Sequence, residues 1–363
     1  MNILGVMSGN SCDGLDLCDV DVNIDSNYSL SYEIKKYSTI PFSENEKIFI
    51  HSIRENKKYK IKENETRLTT IFIDKIRMFS NLDHLDYISC HGQTVSHIDK
   101  ISSVQLFDAK LCYDSFKIPV IFNFRENDIK SGGNGAPLMP FLDWLLFSHF
   151  SKDVVTLNVG GISNISHIPK SKSKDEVRGF DAGPGMCLAD MACRQFFNSN
   201  YDVDSKFSSQ GRVDRKFLNS LLDSPLVKKS PPKSMDINNF GEDIVNQMLV
   251  GNSELNKYDI IRTLVEFTVE SIHYNIHNFI KLNRSDFDLI ISGGGTDHPL
   301  VKQGLIDRGY KIKSVSDFEI DSSIKEALLM AVLGASRVIK LKSSMPSVTG
   351  ASKDVILGEI YAG

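Results

Sequence analysis

Two stretches half a chain apart share one pattern, and that pattern limits the fold more than any other feature of these 363 residues. Residues 2–7 form a short apolar run that breaks at Ser8-Gly9-Asn10-Ser11-Cys12-Asp13-Gly14. Residues 15–22 then largely alternate apolar and acidic side chains. Residues 153–159 form a second apolar run, followed by the turn Gly160-Gly161 and a return through residues 162–165. Strict alternation marks a half-buried strand, and dense Gly, Ser and Asn mark a turn. Each stretch therefore reads as a hairpin with a glycine turn. A chain of this length exceeds one hydrophobic core. The repeat implies an α/β fold made of two domains facing a central cleft.

The first turn is longer and richer in hydroxyls than a hairpin needs. Such a loop aims backbone N–H groups and hydroxyls at phosphate oxygens. It lacks the Lys of a Walker A loop, and a plain turn remains the alternative. Residues 44–79 read as helical, and residues 85–90 as a strand that runs into a loop holding His91 and His97. No third ligand stands at metal spacing, so these histidines are not read as a metal site. Residues 131–138 hold three glycines in four positions, with Arg125 and Asp128 alongside as a charged pair. Both a ligand-facing loop and an inter-domain linker fit that composition.

Asp181 stands directly before Ala182-Gly183-Pro184-Gly185, and a helix start follows at Cys187. Pro presets a helical φ and the glycines permit a sharp turn or close backbone approach. The pattern places Asp181 at the mouth of a helix, where a carboxylate suits a general base. An acid at an ordinary loop-to-helix junction is the plainer reading. Residues 196–241 read as loop-rich, with Pro231-Pro232 inside them. Residues 260–282 read as one long helix carrying His273 and His277 on its surface, and residues 324–341 as another, with Glu326 in its first turn. Between these helices, the strand at residues 287–292 enters Gly293-Gly294-Gly295, bare backbone on which a base or ribose can rest.

Composition sets the partners aside. The chain is 41% hydrophobic and 24% charged with a net charge of −4, which offers nothing to nucleic acid or anionic lipid. Its six cysteines form no C-x-x-C pair, as expected of buried small hydrophobes in a reducing compartment. The N-terminus has no basic segment, and the apolar run at residues 138–147 is broken by Asp143. A signal peptide and a membrane span are therefore not expected, and a cytoplasmic location is.

Taken in order, MSGNSCDGLD, CHGQTVSH, NFRENDIKSGGNGAPLMP, LNVGGISNI, GFDAGPG, ISGGGTDHPL, KEALLMAVLGA and SVTGA resemble the anhydro-N-acetylmuramic acid kinases. That family lies within the sugar kinase, actin and heat-shock ATPase superfamily. The resemblance spans nearly the whole chain and implies two ribonuclease H-like domains: residues 1–129 with 346–363 in one, and 130–345 in the other. It implies an enzyme that uses ATP, Mg²⁺ and water to open 1,6-anhydro-N-acetylmuramic acid and phosphorylate its 6-oxygen. The product would be N-acetylmuramic acid 6-phosphate, in peptidoglycan recycling.

By the same resemblance Asp181 is the base that activates water. Gly9, Asn10, Ser11, Cys12, Asp13, Gly14, Leu15 and Asp16 form the first phosphate loop, and Gly160 and Gly161 belong to the second. Gly293, Gly294 and Gly295 face adenosine. Arg125, Asp128, Asn134 and Glu326 stand on the sugar side. The Mg²⁺ ligands are left open among Asp13, Asp16 and Asp181, and a homodimer is left open. The sequence departs from the family pattern at Asn10, Asn123, Asn134, Met186 and His298, and in the stretch after Pro231. Those departures leave two alternatives, the same fold acting on another sugar and a non-catalytic nucleotide- or sugar-binding protein.

Overall fold

The computed structural model describes residues 1–9, 12–55, 62–79, 82–235, 255–318 and 320–363. The chain divides into two compact units, residues 1–146 with 323–363, and residues 147–322.

In the first unit, β1 (Asn2–Ser8), β2 (Gly14–Ile24) and β3 (Leu30–Pro41) form an antiparallel meander. Helices α1 (Glu44–Glu55) and α2 (Lys62–Phe79) follow. Next come β4 (Tyr87–Ile98), β5 (Ser102–Leu106), α3 (Ala109–Phe116), β6 (Val120–Phe122), α4 (Glu126–Lys130) and α5 (Met139–Phe147). β4 lies parallel to both β1 and β6. Leu4, Val6, Leu15 and Leu17 of the sheet pack with Leu68, Phe72 and Ile76 of α2 in one buried core. That burial is the main force fixing the sheet, since each strand must hide its apolar face.

In the second unit, β7 (Asp153–Val159), β8 (Ile162–Ile168) and β9 (Arg178–Pro184) form another antiparallel meander. Then come α6 (Cys187–Phe197), α7 (Arg215–Leu222), α8 (Pro225–Lys228) and α9 (Lys257–Asn275). They are followed by β10 (Phe287–Ser292), α10 (Pro299–Asp307) and β11 (Ile312–Ser314), with β10 parallel to both β7 and β11. The strand order β9-β8-β7-β10-β11 repeats the order β3-β2-β1-β4-β6 of the first unit, with matching directions. This is the ribonuclease H-like topology, present twice.

The chain returns to the first unit with α11 (Lys325–Val338), α12 (Pro346–Thr349) and β12 (Glu359–Tyr361), which pairs with β6. Here the boundaries differ from the sequence expectation of 130–345 for the second domain. Ser89 of β4 donates its hydroxyl to the Met330 carbonyl of α11 at 2.5 Å. Lys325 at the head of α11 pairs with Asp143 of α5 at 2.5 Å, both side chains almost fully buried. Helix α11 therefore packs on the first sheet and α5 is tied to α11, a long-range choice that composition cannot reveal.

Local differences have physical causes too. β4 does not end at Cys90: hydrogen bonding to β5 carries the strand through His97. The helical stretch 44–79 is two helices, and residues 56–61 lie outside the described residues. The loop-rich stretch contains α7, with Asp214 capping its first turn by accepting from Phe217 N–H. The long helix closes in a single π turn over Ile276–Ile280. Its His273 is half-buried and hydrogen-bonded to Tyr310 at 2.8 Å rather than lying on the surface.

Candidate active site

In the first unit the turn between β1 and β2 is anchored from β4. Ser8 donates to the Gln93 side-chain oxygen at 2.5 Å, and the Gln93 amide donates to the Gly9 carbonyl at 3.3 Å. Asn10 and Ser11 lie outside the described residues. Cys12 is buried in a left-handed conformation, φ 56°, and Arg54 donates to its sulfur at 3.5 Å. Burial raises the Cys12 pKa, with Arg54 opposing. Asp13 is exposed, while Gly14 and Leu15 are buried at the start of β2. Asp16 is half-buried and accepts from the Thr39 hydroxyl at 2.5 Å.

Arg125 and Asp128 meet on one residue, Gly135. Arg125 donates to the Gly135 carbonyl at 3.1 Å, and Asp128 accepts from the Gly135 N–H at 2.8 Å. The other Asp128 oxygen accepts from Thr349 at 2.8 Å. Asp128 is buried, and both of its carboxylate oxygens are engaged in holding the glycine loop to Thr349. The loop also pairs with the chain end, through Asn134 N–H to the Thr349 carbonyl at 2.9 Å and Ser352 N–H to the Ser131 carbonyl at 2.8 Å. It is thus a built part of the first unit and not a linker.

The Asn134 side-chain oxygen is buried and has no hydrogen-bond partner among the described residues. Arg125 Nε–H donates to His91 Nε2 at 3.0 Å, while His91 Nδ1 faces the Gly92 carbonyl at 2.9 Å. These contacts require a neutral His91 carrying its proton on Nδ1. Burial, with Arg125 beside it, drives the His91 pKa down to about 3. His97 is instead bonded to Ser103 and Asp99, so the two histidines share no site.

Glu326 at the head of α11 completes the group. Burial raises its pKa and Asp16 adds to the rise, with Arg125 and Lys325 opposing. Burial also lowers the Arg125 pKa to about 10, against the pull of Glu326 and Asp128. Asp16 and Arg125, far apart in the sequence, thus both act electrostatically on Glu326. Among the described residues no three His, Cys, Asp or Glu side chains gather as a metal cage.

In the second unit Asp181 lies within β9, opposite Asn164 of β8, and not at a helix mouth. The strand runs on to Pro184 because Ser163 and Gly183 keep the ladder after a bulge. β9 is an edge strand, and the segment after Pro232 covers that edge. Asp181 N–H donates to the Lys233 carbonyl at 3.2 Å, and Met235 N–H donates to the Asp181 carboxylate at 2.6 Å.

The glycines after Asp181 serve the second hairpin turn. Gly185 and Cys187 N–H donate to the Gly161 carbonyl at 2.8 and 3.2 Å, and Met186 N–H to the Gly160 carbonyl at 2.8 Å. A Cβ on Gly185 would stand 2.1 Å from the Gly160 carbonyl oxygen, so only glycine permits this approach. β10 pairs with β7, which sets the Gly293–Gly295 turn beside that same hairpin. Met186 packs beneath this turn, 2.8 Å from where a Gly295 Cβ would be. His298 is buried against Asp202 at 3.1 Å.

Reasoning from sequence missed Gln93, His91, Thr349 and Lys233 as supports of these side chains. Gln93, His91 and Thr349 stand inside the quoted motifs, their only signal, while Lys233 stands in none of them.

A duplicated ribonuclease H-like topology with a glycine turn at each first hairpin defines a protein of the actin-like fold class. The family profile for anhydro-N-acetylmuramic acid kinase matches residues 1–363. The anhydro-N-acetylmuramic acid kinase of Bacillus cereus (strain AH187) is 33% identical over 382 aligned residues, covering 99% of each chain. That of Clostridioides difficile (strain 630) is 32% identical over 377, covering 99% of this chain and 98% of the relative. Among solved structures, the activator of the 2-hydroxyisocaproyl-CoA dehydratase from Clostridium difficile with bound ADPNP matches with a TM-score of 0.42 and 10% identity. It covers 92% of this chain and 94% of its own. The chain belongs to the anhydro-N-acetylmuramic acid kinase family. It is a carbohydrate kinase with that family's activity in peptidoglycan recycling, and as a kinase it uses ATP.

Proposed function

We propose that Asp181 is the general base of a hydrolytic phosphoryl transfer on 1,6-anhydro-N-acetylmuramic acid. The observation that carries this reading is the half-buried carboxylate itself, oriented by the Met235 N–H at 2.6 Å on a strand edge. Asp181 takes a proton from water as the water oxygen bonds to the anomeric carbon. The bond from that carbon to O6 breaks, and O6 accepts the γ-phosphoryl group of ATP, leaving ADP and N-acetylmuramic acid 6-phosphate. A base on the face opposite the leaving oxygen matches the logic of inverting sugar hydrolysis. Phosphoryl transfer needs positioning and charge neutralisation more than covalent help.

Arg125, Asn134 and Glu326 are assigned to the sugar, with Asp128 holding their loop. Residues 9–16 and Gly160-Gly161 are assigned to the phosphates, and Gly293–Gly295 to adenosine. Mg²⁺ keeps most of its waters and takes only one or two carboxylates beside substrate phosphates. The exposed Asp13 and the half-buried Asp16 fit that demand, and the ion would neutralise phosphate charge there. A cytoplasmic location follows from a cytoplasmic supply of ATP. Among the described residues no helix is long and apolar enough to cross a membrane.

Two departures from the family pattern have local causes, which weakens the reading that another sugar is the substrate. Asn123 adopts φ 58°, a conformation asparagine tolerates. Its amide donates to Glu126 and to Glu359, where an aspartate would meet two like charges. Met186 packs beneath Gly295.

The test is incubation with ATP, Mg²⁺ and the anhydrosugar in ¹⁸O-water. Label at the anomeric carbon, together with a 6-phosphate, is expected. Asp181→Asn should lower kcat by about 10²- to 10⁴-fold, the usual worth of a positioned base, with ATP affinity unchanged. Full activity in that variant would end the assignment, and ATP binding without any sugar phosphate would favour the non-catalytic reading.

A further inference from the structure

We infer that Lys233 is a positioning residue for Asp181, clamping the segment that orients the carboxylate. This rests on Asp181 being the base.

Lys233 is 3% exposed, a rare state for lysine. A buried ammonium must find acceptors, and this one donates to the Val227 carbonyl at 2.8 Å and the Leu226 carbonyl at 3.5 Å. Both acceptors belong to α8. Its charge also lies 5.3 Å from the Phe279 ring centre and 6.0 Å from that of Phe180. The side chain is thus pinned between α8, β9 and the π turn. Its own backbone does the remaining work. The Lys233 carbonyl takes the Asp181 N–H, and Met235, two residues on, donates to the Asp181 carboxylate. The base is held at main chain and side chain by a short segment whose anchor is one buried cation.

The charged groups acting on Lys233 are Asp181 from β9 and Lys229 just beyond α8. Arg178 of β9 is bonded to the Phe279 carbonyl. Burial is the largest influence and lowers the Lys233 pKa to about 8; Asp181 opposes and Lys229 adds to the fall. The cation is present below that pH; as pH rises through it the charge is lost, which weakens the bonds to the α8 carbonyls and removes the attraction to both rings. Arginine in the same place would keep its charge throughout.

The experiment follows 6-phosphate formation from the anhydrosugar with ATP and Mg²⁺ across pH, in wild type, Lys233→Arg and Lys233→Met. Wild-type kcat should fall on the alkaline side with a midpoint near pH 8. Lys233→Met should lower kcat at neutral pH by about 100-fold, the scale of a misplaced reacting group, and leave no alkaline limb. Its KM for the sugar should stay within about threefold, since ground-state binding is not touched. Lys233→Arg should restore most of kcat and move the alkaline limb out of range. A purely structural lysine would leave the limb where it is in every variant that folds. An unchanged limb in Lys233→Arg, or near-normal kcat in Lys233→Met, overturns the inference while leaving Asp181 as base. A wild type that forms no sugar phosphate overturns the base itself and this inference with it. Should Lys233→Met fail to fold, the wild-type and Lys233→Arg profiles still decide.

Discussion

The assignment of Gly293–Gly295 to the nucleotide can be tested by adding one methyl group at two neighbouring positions. A Cβ on Gly294 would have no atom within 4 Å, and the residue is exposed. Nothing in the protein opposes Gly294→Ala, and a Gly→Ala change at a compatible site stabilises by about 0.4–1 kcal/mol through the unfolded chain. A Cβ on Gly295 would stand 2.5 Å from Val159 Cγ1, and 2.8 Å from both the Val159 carbonyl oxygen and Met186 Cγ. Overpacking of that kind costs about 1–3 kcal/mol. Urea unfolding should therefore separate the two variants by about 2–4 kcal/mol, with Gly294→Ala at or slightly above wild type. Kinetics should then rank them differently. If adenosine rests on this backbone, the Gly294 methyl meets the ligand, and KM for ATP rises about tenfold, as loss of about 1.4 kcal/mol of binding requires. KM for the anhydrosugar should hold. A Gly294→Ala enzyme with wild-type KM for ATP would remove the loop from the nucleotide site. A destabilised Gly294→Ala would show that its surroundings are not open.

Two further predictions concern the first unit. His91 is neutral and buried with a pKa of about 3, against 6.5 for an unperturbed histidine. The unfolded chain binds a proton that the folded chain refuses, so stability falls as pH drops below 6.5, by about 1.4 kcal/mol per pH unit. Urea titrations at pH 7 and pH 5 should show a loss that is smaller by about 2 kcal/mol in His91→Gln; an equal loss in both proteins would exclude His91 as its source. Asp128→Ala leaves the Gly135 N–H without its acceptor, while the Thr349 hydroxyl keeps only the longer bond to the Met345 carbonyl at 3.3 Å. At about 1–3 kcal/mol for a buried unpaired group, unfolding stability should fall by about 1–3 kcal/mol, and a change within error would contradict the loop-holding role.

What the sequence made legible was local. Alternation and turn composition located both hairpins, and the triple glycine was read correctly as following a strand. The repeat of those hairpins was enough to suggest duplication, which the two matching strand orders bear out. What stayed hidden was set by partners distant in the chain. Nothing near Cys90 foretells that β4 continues, because β5 supplies the hydrogen bonds that extend it. Nothing near Asp181 foretells a strand, because Gly-Pro-Gly reads as a turn until β8 is seen pairing with it. Helix α11 has the small residues for close packing, but the partner that requires them, Ser89 on β4, is 241 residues away. Arg125 and Asp128 stood out in the sequence as a charged pair, but their meeting on Gly135 depends on a loop folded back by Thr349.

The two hairpin turns have the same place in the same topology but are held by different means, and this bears on how charge is handled. The first is tied from below by a side chain, with Gln93 taking the Ser8 hydroxyl and giving to the Gly9 carbonyl. The second is tied by main chain: three successive N–H groups at the head of α6 are spent on the Gly160 and Gly161 carbonyls. A helix N-terminus is ordinarily a source of N–H donors and positive potential for phosphate. Here part of that source is turned inward to fix the glycine turn. On the proposed assignment of these turns to ATP, positive charge for the phosphates is to be sought elsewhere, in a divalent cation or in basic side chains. Activity should accordingly depend steeply on Mg²⁺, and Asp16→Asn should raise the Mg²⁺ concentration needed for half-maximal rate. An unchanged Mg²⁺ requirement in that variant would place the cation on other groups.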